Sequence, residues 1–470
     1  MNLWTTASHI CQAADRLFGD WRPENLEAGT FVRKRQFTIA ALLKLWSFSA
    51  FDGGRQGDEA VIGELWRRGL FSPSGGGKLP LSGGYSGACM AAPADLGLQA
   101  AREAYLSARA QEKTPVLWQG FRVMVNDGTK IIIPRTPETI AAYELPGGRT
   151  GNAYYPQIHA VGFFDLATRT FATADLSSGK PDERGAVLRH ATANTEATLY
   201  VQDAGCNGVA YLFQMSRRPD HAVLMTLKMG NLGGEVTAFR RSKLRSRVIT
   251  LTLQKIHIAS YPELESLVGA SFQVRLLRQP GSSKLRSQIL VTTLLDEDRY
   301  PRNELILLHL QRGKIEFGFR HLKTLTAIEH IRKLKLRRIL QHIGGALLAY
   351  NLAAILRYAA KPPELFPDKE GAAMPAFSAA FHAMKDVVMM AAAGLKAWTD
   401  GDWRKILLPV VKPRYRYRPF RLRPRITQFP SSVFTRQKTS GRHDELRKTR
   451  ELARDMKRLG MFYALLRSML

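Results

Sequence analysis

Apolar residues recur at helical spacing in Phe37–Phe51, in Ala60–Leu70 and again in Leu96–Gln111. The Gly-rich stretch Ser72–Lys78 interrupts the pattern. Residues 1 to about 112 therefore read as mostly helical, with no helix-turn-helix that stands out. At Pro115 the texture changes. Phe121–Asn126 is a short apolar, β-rich run expected to end at Asp127-Gly128-Thr129, and Lys130–Pro134 reads as a second strand. After the Gly-rich loop Pro146–Gly151, Gln157–Phe164 and Thr170–Leu176 read as strands of a hairpin closed at Asp165–Thr168. A helix is expected over Gly185–Asn194, a strand over Ala197–Gln202 ending at Asp203, a helix near Val209–Arg217 and a strand over Ala222–Lys228.

The order β-β-β-α-β-α-β is the opening of a ribonuclease-H-like α/β domain. Residues from about 231 to 297 turn β-rich again, with alternating runs at Val248–Gln254, Ser271–Leu277 and Ser287–Leu294. They read as an insertion ahead of a helix that starts near Pro301, a residue suited to a first helical position, and runs to about Leu325. An apolar helix is expected over Ile339–Arg357. Lys361–Lys369 is a Pro-rich linker, Ala376–Trp398 a short helical segment, and Asp444–Leu470 resumes helical spacing. The fold class expected is α/β: a ribonuclease-H-like mixed sheet with a β-rich insertion before the Glu-bearing helix, flanked by a helical N-terminal domain and a basic, largely helical C-terminal region.

Charge narrows the choice of partner. Lys and Arg number 69 against 40 Asp and Glu, giving a formal net charge of +29. Such an excess attracts polyanions over long range, and nucleic acid is the expected one. An anionic membrane surface is the rival, but no apolar run is expected to reach the roughly 18 residues needed to span a bilayer. No signal peptide is read at the start, so the expected location is cytoplasmic. The three cysteines, Cys11, Cys89 and Cys206, lack CxxC spacing, which argues against a structural zinc site and suits a reducing compartment. Cys206 has no assignable base nearby and reads as a packing residue.

Two acids, Asp127 and Asp203, are expected at strand ends, where α/β sheets gather their ligands. In HLQRGKIEFGFRHLK, at roughly 100° per residue, His309, Arg312, Glu316 and Lys323 share an arc of about 60°. Leu308, Ile315, Phe319 and Leu322 form an apolar flank beside it. A helix of this kind packs through one side and aims a carboxylate, two cations and an imidazole along the adjacent edge. Ion pairing around Glu316 is the plainer alternative. Asp165 reads as a turn former, Asp182 and Glu183 as helix starters, Glu304 as a first-turn acid, and Glu329 lacks the Arg and Lys spacing.

The spacing Arg312-x3-Glu316-x6-Lys323 resembles the Tyr-x2-Arg-x3-Glu-x6-Lys signature of DDE transposases of the insertion sequence four family. The DGT of Asp127 and the QDAG of Asp203 resemble that family's first two acidic motifs, in the same order and over roughly residues 115 to 357. The family's Tyr position is held here by His309. No Trp lies between Trp118 and Trp398, where relatives use one to hold a flipped base, and Phe272 and Tyr300 are the candidate stand-ins. The resemblance implies a cut-and-paste transposase with catalytic, metal-holding acids Asp127, Asp203 and Glu316. It implies two Mg²⁺ per site, Mn²⁺ being able to substitute, and phosphate contacts from His309, Arg312 and Lys323. Its partners would be double-stranded DNA, as transposon ends and target, and a second copy of the chain assembled on DNA; neither a membrane nor a small-molecule substrate is expected.

On this reading residues 1–112 bind the DNA end, 113–360 are catalytic, and 361–470 contact DNA or dimerise. Further DNA contacts are expected from Arg240, Arg241, Lys243 and Arg245, and from the aromatic-interleaved Arg414, Arg416 and Arg418. Two alternatives stay open: a ribonuclease-H-like nuclease that cuts without joining strands, and a catalytically silent DNA-binding relic.

Overall fold

The computed structural model describes residues 17–18, 21–22, 37–54, 56–71, 78–110, 112, 115–145, 147–148, 151–152, 154–178, 182–227, 233–280, 288–326, 328–329, 331–359, 373–392, 400–411 and 414–416. The linker Lys361–Lys369, Arg418 and the segment Asp444–Leu470 lie outside the described residues. In chain order the helices are α1 (Ile39–Phe51), α2 (Asp58–Arg67), α3 (Ser82–Ala91), α4 (Leu96–Ala110), α5 (Pro137–Tyr143), α6 (Glu183–Ala193), α7 (Val209–Ser216), α8 (Gly233–Arg241), α9 (Arg302–Leu310), α10 (Gly313–Leu325), α11 (Leu336–Ala359), α12 (Phe377–Ala392) and α13 (Asp400–Val411). The principal strands are β1 (Arg122–Ile132), β2 (Gln157–Asp165), β3 (Phe171–Ser178), β4 (Thr198–Gln202), β5 (His221–Thr226), β6 (Ser246–Thr252), β7 (Ser271–Gln279) and β8 (Gln288–Thr292).

The chain divides into two units. Among the described residues, one draws on those up to Pro115, Met124–Ala186 and Gly313–Arg416, the other on Val116–Val123 and Val187–Arg312. In the first, β3, β2 and β1 pair antiparallel, with β1 running from Met124 opposite Asp165 to Ile132 opposite Gln157. In the second, the opening of β1 lies beside β4, where Arg122 N–H donates to the carbonyl of Ala197 (2.8 Å). There β4 and β5 run parallel, and β8, β7 and β6 continue antiparallel. The hydrogen-bonded order is thus β3-β2-β1-β4-β5-β8-β7-β6, an open mixed sheet of the ribonuclease-H-like kind. The residues expected as a β-rich insertion supply α8 and the three strands beyond β5.

Two elements differ from expectation. The two strands predicted over Phe121–Pro134 are one, and Asp127 lies within β1 because the ladder to β2 continues unbroken through Asp127, Gly128 and Thr129. The single helix predicted from Pro301 to Leu325 is two, α9 and α10. Gln311 and Arg312 leave the α-helical ladder by bonding three residues back, Arg312 N–H to the carbonyl of His309 (3.0 Å), so one helical wheel no longer describes residues 301–325.

The core of the first unit is built on α11. Leu336–Tyr358 is apolar and long enough to cross a bilayer, which the sequence did not lead one to expect; yet 89% of its apolar 18-residue stretch is buried, and it packs on α4, α1 and α12. Its backbone meets its neighbours closely. A Cβ on Gly97 of α4 would lie 2.8 Å from the backbone of Gly344, and one on Gly345 would lie 2.9 Å from Cβ of Trp46. Fully buried Asn351 fastens three elements. Its Nδ2 donates to the carbonyls of Ala101 (2.8 Å) and Phe171 (2.8 Å), and its Oδ1 accepts from Phe171 N–H (2.9 Å). Asn351→Leu takes this partner from the buried N–H and carbonyl of Phe171, while the Ala101 carbonyl keeps its helical bond, so it should lower stability by about 2 kcal/mol or more in urea unfolding. A loss below about 1 kcal/mol would show that the clamp is dispensable.

Candidate active site

Asp127 stands opposite Gly162 in the β1–β2 ladder, and directly opposed residues project from one face of a sheet. That face carries α10. A Cβ on Gly162 would lie 2.8 Å from the ring of Phe171 and 3.0 Å from that of Phe319, and one on Gly318 would lie 3.0 Å from Phe171. The two glycines leave the slot that Phe171 fills, which seats α10 against β2 at the level of Asp127. Glu316 is in the first turn of α10 and Lys323 in its last.

Around Asp127 the backbone is tightly specified. Its Oδ1 accepts the N–H of Gly128 (2.9 Å). On the opposite face, a Cβ on Gly128 would come within 2.5 Å of both His159 Nε2 and Glu183 Oε1. The glycine of the DGT motif is therefore required by packing. His159 and Glu183 approach to 3.9 Å, and burial holds the His159 imidazole below its ordinary pKa despite the pull of Glu183. Neither residue was singled out for such a role in the sequence. Lys323 Nζ donates to the carbonyl of Lys130 (3.2 Å) and is paired with Glu329 (2.7 Å), an acid set aside in the sequence for its spacing.

In the second unit Asp203 follows β4 directly. Its Oδ1 caps the turn Ala204–Cys206 by accepting Ala204 N–H (2.7 Å), and its Oδ2 lies 3.6 Å from Arg312 Nη1. The Asp203 side chain is 49% exposed and that of Arg312 21%, so both meet solvent. Asn207 fastens the turn, donating to the carbonyls of Ala204 (2.9 Å) and Thr226 (2.5 Å). His309, expected to donate to phosphate, is instead buried at the end of α9, where Nε2 shares a hydrogen bond with Thr226 Oγ1 (2.9 Å). Phe272 and Tyr300, the candidate stacking residues, are also in the core: Phe272 packs on Phe213, and Tyr300 on Trp118 and Phe121.

Arg240 and Arg241 occupy the last turn of α8, with Lys243 and Arg245 in the turn that follows. Arg278, overlooked in the sequence, holds this basic turn by donating to the carbonyls of Phe239 (2.6 Å), Ser242 (2.9 Å) and Leu244 (3.1 Å). Arg414 and Arg416 lie in a short strand paired with Ala373–Pro375.

A transposase DDE domain matches residues 118–352, half of the chain. The chain belongs to the DDE transposase family. It is similar to the transposase InsG of insertion sequence element IS4 from Escherichia coli (strain K12), 26% identical over 237 residues, which make up 50% of this chain and 52% of that protein. The chain thus matches about half the length of this curated relative. A piggyBac transposase, solved by cryo-EM as a synaptic complex with hairpin DNA, aligns over 87% of this chain and 83% of its own, with 10% identity and a TM-score of 0.40.

Members of the family use divalent metal, and the acids of this chain suit it in kind: carboxylate oxygens are the hard donors that Mg²⁺ prefers. Among the described residues, however, no three His, Cys, Asp or Glu side chains stand close enough together to hold an ion.

Burial first, and the neighbouring Arg312 second, push the His309 pKa down from 6.5 to about 4. The folded protein therefore holds this ring neutral, whereas the unfolded chain protonates near 6.5. Its contribution to stability is complete above pH 6.5 and is lost as the pH falls towards about 4. His321 and His342 are shifted in the same sense. His309→Gln should flatten the acid-side loss of stability measured by urea unfolding; an unchanged pH profile would remove His309 from that role.

Proposed function

We propose that this chain is a bacterial, cytoplasmic DNA transposase that cuts DNA at transposon ends and joins the freed 3′-OH to target DNA. The observation that carries this reading is the seating of the Glu316 helix on the face of β1–β2 from which Asp127 projects, within a DDE domain match. In this proposal Asp127, Asp203 and Glu316 are the acids that would hold two Mg²⁺, Asp127 contributing to both. Mn²⁺ can take the place of Mg²⁺. Bound there, the ions supply Lewis-acid activation of the attacking oxygen and charge neutralisation at the leaving one. Asp203 is half exposed and lies beside Arg312, the cation that the proposal assigns to phosphate.

Arg312 is the phosphate fork of this scheme and Lys323 a point charge. Buried His309 is better suited to fixing α9 on β5 than to touching phosphate. Arg240, Arg241, Lys243 and Arg245 are proposed contacts to the DNA backbone, as are Arg414, Arg416 and Arg418 of the basic tail. Residues 1–112 are proposed to bind the DNA end, 113–360 to form the catalytic domain, and 361–470 to contact DNA or a second copy of the chain in a dimer assembled on DNA.

Asp203→Asn and Glu316→Gln should each lower Mg²⁺-dependent cleavage by at least about a thousandfold while sparing DNA binding. Cleavage without a joined product on a supercoiled target would favour a nuclease. The lack of a ready three-acid cluster among the described residues is also what a silent DNA-binding relic would show. A wild-type protein that binds ends yet cuts with neither Mg²⁺ nor Mn²⁺ would establish that second reading. Glu329→Gln releases Lys323, so DNA affinity should rise by about two- to fivefold and its salt dependence steepen by about one counterion. An unchanged salt slope in anisotropy titrations would take Lys323 out of the phosphate contacts.

A further inference from the structure

β1 and β2 end together at Ile132 and Gln157, and the chain just beyond them carries exposed aromatic residues. The Arg135 guanidinium lies 4.8 Å from the ring centroid of Tyr154, and its Nη1 donates to the Tyr154 carbonyl (2.5 Å). The Tyr155 ring stands 4.8 Å from that of Tyr154, at 81° to it. Tyr154 is 68% exposed and Tyr155 49%. One cation thus grips Tyr154 through both ring and backbone, and the Tyr155 ring stands edge-on to it, with both rings facing water. Lys130, on the neighbouring strand end, is exposed, and Glu138, the acid closest to Arg135 in sequence, accepts from Leu336 N–H (3.2 Å).

We propose that Arg135, Tyr154 and Tyr155 form a platform on which unpaired bases of single-stranded DNA stack, a proposal that rests on DNA being the partner. Aromatic faces beside a cation suit bases and the phosphates that link them, because every base offers a π-face and every linkage a negative charge. The net charge of +29 favours a polyanion over a protein surface. Along the extended β1 strand, Asp127 and Ile132 are separated by about 17 Å, roughly five stacked nucleotides. The platform would therefore hold a strand that continues away from the acids, several nucleotides from the position at which they act.

The test uses the full chain and oligothymidylate carrying 2-aminopurine, whose fluorescence is quenched by stacking. Wild-type protein should quench it saturably. Tyr154→Ala and Tyr155→Ala should each weaken single-strand binding about tenfold, whereas Tyr154→Phe, which keeps the ring, should bind as wild type does. Duplex binding and the urea unfolding midpoint should not change. Alanine variants that bind the single strand as wild type does would overturn the platform. So would loss of self-association by sedimentation with single-strand binding intact, which would make the rings a contact between copies. Cleavage of duplex ends is followed in parallel. Quenching without cleavage sinks the transposase reading alone, and cleavage with indifferent alanine variants sinks the platform alone.

Discussion

The packing of Phe171 is the constraint on which the first unit depends. Its ring is fully buried between Gly162 and Gly318 and touches Phe164, Phe319 and Tyr350. Its backbone N–H and carbonyl are both taken by Asn351. One residue thereby fixes the hairpin, the Glu316 helix and the central helix α11 against one another. Any residue larger than glycine at 162 or 318 must displace that ring, and densely packed interiors give way little. The distance from α10 to the strand of Asp127 is set by that slot.

The second unit solves its own positioning problem with polar contacts. The turn after β4, which Asp203 caps, is tied to the end of β5 through Asn207, and α9 is tied to the same strand through the Thr226–His309 hydrogen bond. Arg312, one residue past the cap of α9, approaches Asp203. Buried polar links of this kind are directional, so they fix orientation where apolar packing alone would tolerate sliding. Arg278 does the same for the basic turn after α8, leaving Arg240, Arg241, Lys243 and Arg245 on a turn that is held from beneath.

Much of this was legible in the chain because periodicity reports burial directly. The hairpin β2–β3, the parallel pair β4–β5 with α7 between, the β-rich residues before α9 and the long apolar α11 all announce themselves by spacing. The misreadings have physical causes. Asp127-Gly128 looks like a turn, but Gly128 is there to admit His159 and Glu183, contacts between distant positions that no local pattern carries. The periodicity of residues 301–325 survives the break at Gln311 and Arg312, since both halves bury an apolar side, so one helix was expected where there are two. His309 looked like a phosphate donor by its spacing and is buried instead. The pairing of Lys323 with Glu329 and the Arg278 cap depend on tertiary placement alone.

The central claim is that acids far apart in sequence serve one metal-dependent reaction. Iron-directed cleavage of the polypeptide tests it most directly: Fe²⁺ bound in place of Mg²⁺ is treated with ascorbate, and the protein fragments are sized. If Asp127, Asp203 and Glu316 hold the ion together, the chain is cut near all three positions and excess Mg²⁺ suppresses every cut. Cuts confined to one or two of those positions, or falling elsewhere and indifferent to Mg²⁺, would contradict it.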